Sequence, residues 1–415
     1  MKLSTFSNHS SLKFNSLFFL GILVFYPLRE AFSIKLGPQS FFRFGDAFIF
    51  LAPFFCFLLK LKGQSFKICY AMGLFLLYVI VAGVLFGEIV NFSYAQNFII
   101  RAVFVSCFIF VCEHIVIDSS IGLFDKFFKY VVLLELCFCI IQLCGFNFFG
   151  LHFSSFNPEA VWGVRRLNGT ASEPGYLVPV LVPCLYYFFI NRKKNTMYFL
   201  LVCLEFLFTF SSFAYIIFLL TLGYAIAQTK KKWGNFFIPI AFLTMFLFAL
   251  FTFVPQLNLI QQNVQGKIIA YIVEDESKMD WSAAERAENK KVATRAFKNM
   301  SIEKKLFGMG LGATQYYTEH GVKYHYASNE AANAYLALLL NVGIVGLFLF
   351  FCIMYKVYKL KYDNTISKTF YWALVVQLFQ YTITGNIWMY LTWFNIGLLI
   401  IVRRNDPYLL RTDKG

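Results

Sequence analysis

Residues 196–232 read TMYFLLVCLEFLFTFSSFAYIIFLLTLGYAIAQTKKK, and Arg192-Lys193-Lys194 stands just before them. The apolar part, 196–227, is longer than the about 20 residues that cross a bilayer core. As one tilted helix it would put its two basic triplets on opposite faces, whereas short basic connectors collect on the inner side. It is therefore read as two spans turning at Thr209-Phe210-Ser211-Ser212. Each limb has about 15 residues and reaches about 22 Å, so the membrane thins there or the turn lies below its surface.

The rest of the chain agrees with a membrane setting. Of 415 residues 59% are hydrophobic, 20% aromatic and only 14% charged, with 54 Phe and a mean hydropathy of +0.62. Soluble proteins carry roughly 25% charged and about 45–50% apolar residues. A soluble enzyme, a secreted domain and a disordered chain are excluded. Unbroken apolar runs, rather than alternation, exclude a β-barrel. Further spans are expected at 16–34, 44–60, 66–86, 97–117, 127–149, 175–191, 236–254, 333–355, 369–385 and 386–402. With the two limbs of 196–227 the fold is an all-α, polytopic membrane protein of about twelve helices, a single membrane domain over 1–415. Because the first run continues into Leu28-Arg29-Glu30 without a small-residue cleavage site, no cleavable signal peptide is expected.

The net charge of +15 sorts by membrane side. With the N-terminus in the cytoplasm, the inner connectors hold Lys60, Lys62 and Lys67, then Lys126 and Lys129, the two triplets, and Lys356, Lys359, Lys361 and Lys368. The cytoplasmic tail adds Arg403, Arg404, Arg411 and Lys414. The charge is topology, and no nucleic-acid partner follows from it. Two long loops fall outside, 150–174 and 255–332, the second between spans 9 and 10. Neither contains any of the ten Cys, so no disulfide or zinc site is indicated.

The long loop is expected to hold an amphipathic helix over 257–273 and a second helix opening at the capping box Ser282-x-x-Glu285. Gly308-Met309-Gly310-Leu311-Gly312 then breaks the chain, without the preceding strand of a nucleotide fingerprint. Glu274-Asp275-Glu276 reads as a solvated face, and no metal or cofactor is expected.

Two outer segments carry the informative pattern. One is Arg165-Arg166-Leu167-Asn168-Gly169-Thr170-Ala171-Ser172-Glu173-Pro174-Gly175, immediately before span 6. The other joins Leu306-Phe307-Gly308-Met309-Gly310-Leu311-Gly312 to Asn333-Ala334-Tyr335-Leu336 and Gly343-Ile344-Val345-Gly346 as the chain re-enters the membrane. In order, spacing and membrane side these resemble the O-antigen polymerase and O-antigen ligase superfamily of bacterial inner membranes.

That resemblance implies glycan transfer between undecaprenyl-diphosphate-linked oligosaccharides at the outer face of the inner membrane, with both termini cytoplasmic. It also implies membrane lipids, a chain-length regulator and a flippase as partners. Departure of a lipid diphosphate builds negative charge, which fixed guanidinium groups stabilise. Arg166, three residues before Gly169, takes that role. Arg165 is its neighbour on an extended loop and points away from it. Arg286, or Arg295 if the loop alignment slips, stands where the family places its loop Arg. Arg101, a few residues inside span 4 near its outer end, has no acid close in sequence and faces the protein interior. Glu135 and Glu205 lie inside spans and are assigned structural hydrogen bonds.

The acceptor hydroxyl needs a base, and the outer side offers Glu173, His152, His320 and His325. The ligases resemble one another in a His directly before the Asn ten residues ahead of Gly-x-x-Gly. This chain reads Ala332-Asn333 there, which argues for the polymerase branch. His325, in Lys323-Tyr324-His325-Tyr326, is the substitute base. Asn333 and Tyr324 are candidate substrate contacts, the tyrosine as a stacking face for a sugar ring or as an interface anchor. A ligase, which transfers glycan to lipid A-core, is the alternative, followed by a non-enzymatic polysaccharide or lipid transporter. The chain shows no repeat of the transporter kind.

Overall fold

The computed structural model describes residues 15–28, 34–35, 41–42, 44–58, 67–88, 91–115, 121–149, 160–161, 164–165, 167, 169–171, 174–209, 211–228, 281–314, 316–317, 333–360, 364–383 and 387–409. They are helical apart from turns and two two-residue antiparallel ladders, β1 (Ile34–Lys35) with β2 (Phe41–Phe42) and β3 (Ala160–Val161) with β4 (Val164–Arg165). The all-helical, polytopic membrane architecture read from composition is the one observed. Among the described residues, three helices combine full span length with high hydropathy: Ile68–Phe86, Phe92–His114 and Ala334–Tyr358. The expected span at 236–254 and the amphipathic helix at 257–273 lie outside the described residues.

The chain divides into two compact units. The first contains α1 (Asn15–Phe25), most of α2 (Phe44–Leu58), α3 (Lys67–Phe86) and α4 (Phe92–His114). It also contains α9 (Trp281–Asn299), α10 (Ile302–Phe307), α11 (Ala334–Tyr358), α12 (Thr365–Gln380) and α13 (Tyr390–Leu409). The expected first span over 16–34 is corrected: α1 stops at Phe25, because Pro27 has no N–H with which to continue the ladder. Aromatic rings knit this unit, with Phe48 beside Phe18 (5.0 Å) and Phe394 against Phe108 (5.4 Å). Tyr26 donates its hydroxyl to Asn395 Oδ1 at 3.0 Å, and Asn395 Nδ2 donates onward to Gln377 Oε1 at 3.2 Å. Such polar pairs satisfy groups that hydrocarbon leaves stranded.

The second unit contains α5 (Ile121–Phe149), β1 to β4, α6 (Pro174–Ile190), α7 (Thr196–Phe208) and α8 (Ser212–Gln228). The apolar stretch 196–227 is a hairpin of two helices, turning at Thr209–Ser211 as its flanking charges require. α6 is buried from Leu177 to Phe189 and packs on both limbs of that hairpin. One end of α5, α6 and α7 is tied through Asp125, which pairs with Lys129 (2.7 Å) and accepts from Tyr187 Oη (3.2 Å) and Asn195 Nδ2 (3.1 Å).

Helix lengths differ sharply within this unit. α5 has 29 residues, about 43 Å, while α7 has 13, about 20 Å. Since Asp125 and Asn195 hold one end of the two helices together, the other end of α7 falls well short of that of α5.

Candidate functional site

Two non-helical segments are docked by polar side chains of helices, one in each unit. In the first unit the glycine turn 308–312 seats on a break in α11 at Gly343, whose φ is 68° and ψ −174°. That conformation disfavours any L side chain, and a Cβ there would run into the Leu306 carbonyl. The break frees three consecutive carbonyls, and each finds a donor. Met309 N–H donates to Leu340 O (2.9 Å), Gly310 N–H to Asn341 O (3.2 Å) and Tyr78 Oη to Val342 O (2.8 Å). Irregular backbone at membrane depth is tolerated only when satisfied in this way.

The turn's own donors are met from the same place. Asn341 Oδ1 accepts from Gly312 N–H (3.2 Å) and Thr314 N–H (3.4 Å), and Asn341 Nδ2 donates to Tyr94 Oη (3.4 Å). Glu88 and Asn91 donate backbone N–H groups to Met309 O and Leu311 O, both at 3.0 Å. Lys304 Nζ pairs with Glu88 at 2.5 Å. Met300, Met309, Ala313, Ala337 and Leu340 form an apolar cluster with Ala293 of α9 beneath the turn. Tyr317 packs at its edge, donating to Met309 Sδ at 3.2 Å; burial pushes its phenol above the usual value, with Lys304 opposing.

In the second unit α5 holds the segment that follows Arg165 and Arg166. Gln142 grips Gly169 at both ends, donating Nε2 to its carbonyl (2.7 Å) and accepting its N–H on Oε1 (3.1 Å). Glu135 Oε2 accepts Thr170 N–H at 2.8 Å, and Glu135 Oε1 lies 2.7 Å from Thr170 Oγ1. Thr170 Oγ1 also reaches the Pro27 carbonyl at 2.5 Å, while Leu167 N–H donates to Phe208 O at 3.2 Å. Gly169 has φ 56°, and a Cβ there would strike the Glu135 carboxyl.

Residues 197–351 match the profile of the family described as O-Antigen ligase. A protein of Rickettsia conorii, whose name ascribes polysaccharide-ligase activity to it, is 29% identical over 177 residues. That match takes in 39% of this chain and 42% of the relative, less than half of either. Over residues 197–351, rather more than a third of its length, the chain is similar to the O-antigen ligase family.

The superfamily match runs from α7 through the glycine turn and past the break in α11, whereas Arg165, Arg166 and α5 precede it. Of the residues singled out in the sequence, Arg166, Glu173, Tyr324 and His325 lie outside the described residues, as does the side chain of Arg165, whose backbone forms β4. Arg101 is half-buried on α4 with its guanidinium 6.0 Å from the centre of the Tyr390 ring, and no ion pair is recorded for it among the described residues. Arg286 is half-buried on the face of α9 that carries Asn289 and Ala293, while Arg295 is exposed. Asn333 caps α11, accepting from Leu336 N–H (3.0 Å) and donating to Thr382 O (3.2 Å). Both ends of its amide are thus engaged within the protein.

Two intramembrane acids part company. Glu135 makes the structural hydrogen bonds expected of it, but to the segment that follows Arg166. Glu205 departs from expectation: both its carboxyl oxygens are buried with no hydrogen-bond partner among the described residues. Gln142 and Asn341 are site residues that sequence reading missed. The available signal was a lone amide inside an apolar span.

Proposed function

We propose that this protein is a surface-polysaccharide polymerase, of the O-antigen type, acting on undecaprenyl-diphosphate-linked oligosaccharide units at the outer face of a bacterial inner membrane. The acceptor sugar hydroxyl attacks C1 of the donor's reducing-end sugar. The C1–O bond to the diphosphate breaks, its electron pair leaves with the diphosphate, and the hydroxyl proton passes to a base or to water. The transition state is oxocarbenium-like, so stabilising the leaving group is the larger contribution. Arg166 takes that role, with Arg101 and Arg286 as further cationic contacts and His325 or Glu173 as the base; no metal enters the scheme.

The observation that carries this reading is the anchoring of the stretch that follows Arg165-Arg166. Leu167, Gly169 and Thr170 are held by hydrogen bonds to the apolar helices α5 and α7. A guanidinium beside low-dielectric surroundings is worth more to a developing anion than one in bulk water. The match of residues 197–351 to the O-antigen ligase family supports glycan chemistry, and Ala332, where the ligases resemble one another in a His, favours the polymerase. The ligase reading draws on the names of the matched family and of the Rickettsia conorii relative.

The test is the lipopolysaccharide pattern of a deletion strain. A ladder reduced to a single repeat on lipid A-core identifies a polymerase. Complete loss of O-antigen from lipid A-core, with lipid-linked polymer accumulating, identifies a ligase.

A further inference from the structure

We propose that Glu135, Gln142 and Thr170 are positioning residues that fix the backbone directly after Arg165-Arg166 for glycan transfer; this rests on the glycan-transfer reading above. Asp125 marks one end of α5 through its bonds to Tyr187 and Asn195. From there Glu135 lies about 15 Å along the helix and Gln142 about 26 Å, at 1.5 Å per residue. Gly169 and Thr170, bonded to these two side chains, are therefore held between those levels. α5 continues beyond Gln142 for about another 10 Å before it ends at Phe149. The segment is thus a non-helical stretch drawn into the protein.

The hold is unusually complete for so short a stretch. Glu135 and Gln142 are seven residues apart, one face of one helix, and together they engage both polar backbone groups of Gly169 and two polar groups of Thr170. All four residues are buried. Arg166 stands three residues before Gly169. Removing the anchor frees the backbone from which the arginines extend, and a charge exposed to water is screened, so a lipid diphosphate is held less strongly. A displacement of about 1 Å in a reacting constellation costs about a hundredfold in rate.

The test pairs an exposure readout with an activity readout in the full-length protein. Ala171 is buried. Ala171→Cys in intact cells, treated from outside with a membrane-impermeant maleimide, is expected to stay unlabelled. Adding Glu135→Ala is expected to expose it, and Glu135→Ala alone to lower glycan transfer about a hundredfold at an unchanged amount in the membrane. Glu135→Gln is the conservative partner. Its amide accepts Thr170 N–H and donates to Thr170 Oγ1, leaving the hydroxyl proton for Pro27, so both readouts are expected to stay within a few-fold of the parent. Thr170→Val, which keeps the backbone, covers the case in which Glu135→Ala fails to accumulate; exposure of Ala171→Cys and about a tenfold loss of transfer are expected.

Three results overturn the proposal: labelling that does not change in either Glu135→Ala or Thr170→Val, exposure without loss of transfer, or an inactive Glu135→Gln whose position 171 remains protected. The glycan-transfer reading fails separately. A deletion strain whose glycan pattern is unchanged discards it, while the labelling pattern still reports whether the anchor exists.

Discussion

Asn341 Oδ1 accepts the backbone N–H of Gly312 across 29 residues of sequence, at 3.2 Å. One amide inside α11 thereby completes the glycine turn 308–312, and its Nδ2 ties the pair to Tyr94. Asn341→Leu would leave the Gly312 and Thr314 donors buried and unpaired, which costs about 1–3 kcal/mol. We expect a lower unfolding temperature in detergent, with Tyr94→Phe producing a smaller drop. Equal stability of Asn341→Leu and the parent would remove Asn341 from this role.

Gly343 and Gly73 form a matched pair of helix glycines. Gly343→Ala places a Cβ on a positive φ against the Leu306 carbonyl, whereas a Cβ at Gly73 meets nothing within 4 Å. The first substitution should destabilise by about 1–3 kcal/mol or more, and the second should be neutral or slightly stabilising through helix propensity. Thermal melts of the two purified variants decide it.

Glu205 carries a carboxyl for which no described partner exists. Burying such a group costs about 1–3 kcal/mol on protein mutational scales. Glu205→Leu is therefore expected to raise the melting temperature of the purified protein, or at least not lower it. A marked fall would mean that this carboxyl has a partner that matters.

Loss of Arg166 should remove a charge-assisted contact to the developing diphosphate, about 2.7–4 kcal/mol or a factor of about 10²–10³ in rate. Arg166→Ala should abolish long glycan and Arg166→Lys should recover only part, since an ammonium cannot bind bidentately. His325→Ala should be milder than Arg166→Ala, and transfer should persist in EDTA. If His325→Ala proves as severe at normal abundance, the histidine is the base.

Topology is checked by labelling. A cysteine at position 212 should react from outside and one at 231 only from the cytoplasm. Outside reactivity at 231 would reverse the side of every later loop.

Charge and hydropathy made the hairpin legible, because Arg192–Lys194 and Lys230–Lys232 cannot flank a single crossing without breaking the inner-side bias. Pro27 was equally visible as the stop of α1, yet the apolar run beyond it extended the expected span to residue 34. What could not be read were the partners of Gln142, Glu135 and Asn341. Their contacts join residues 27, 35 and 29 positions apart. An amide within an apolar helix announces that it needs a partner, but tertiary packing chooses which one. The glycines of 308–312 were recognisable as a turn; that they fill a break in the span they precede depends on where α11 returns.

A bilayer that matches α7 has a hydrocarbon core some 10 Å thinner than the usual about 30 Å. Lipid headgroups alongside this hairpin then sink toward the level at which Phe208 meets Leu167. On the function proposed above, a polyprenyl carrier would need no lifting out of the membrane to deliver its phosphates to such a place.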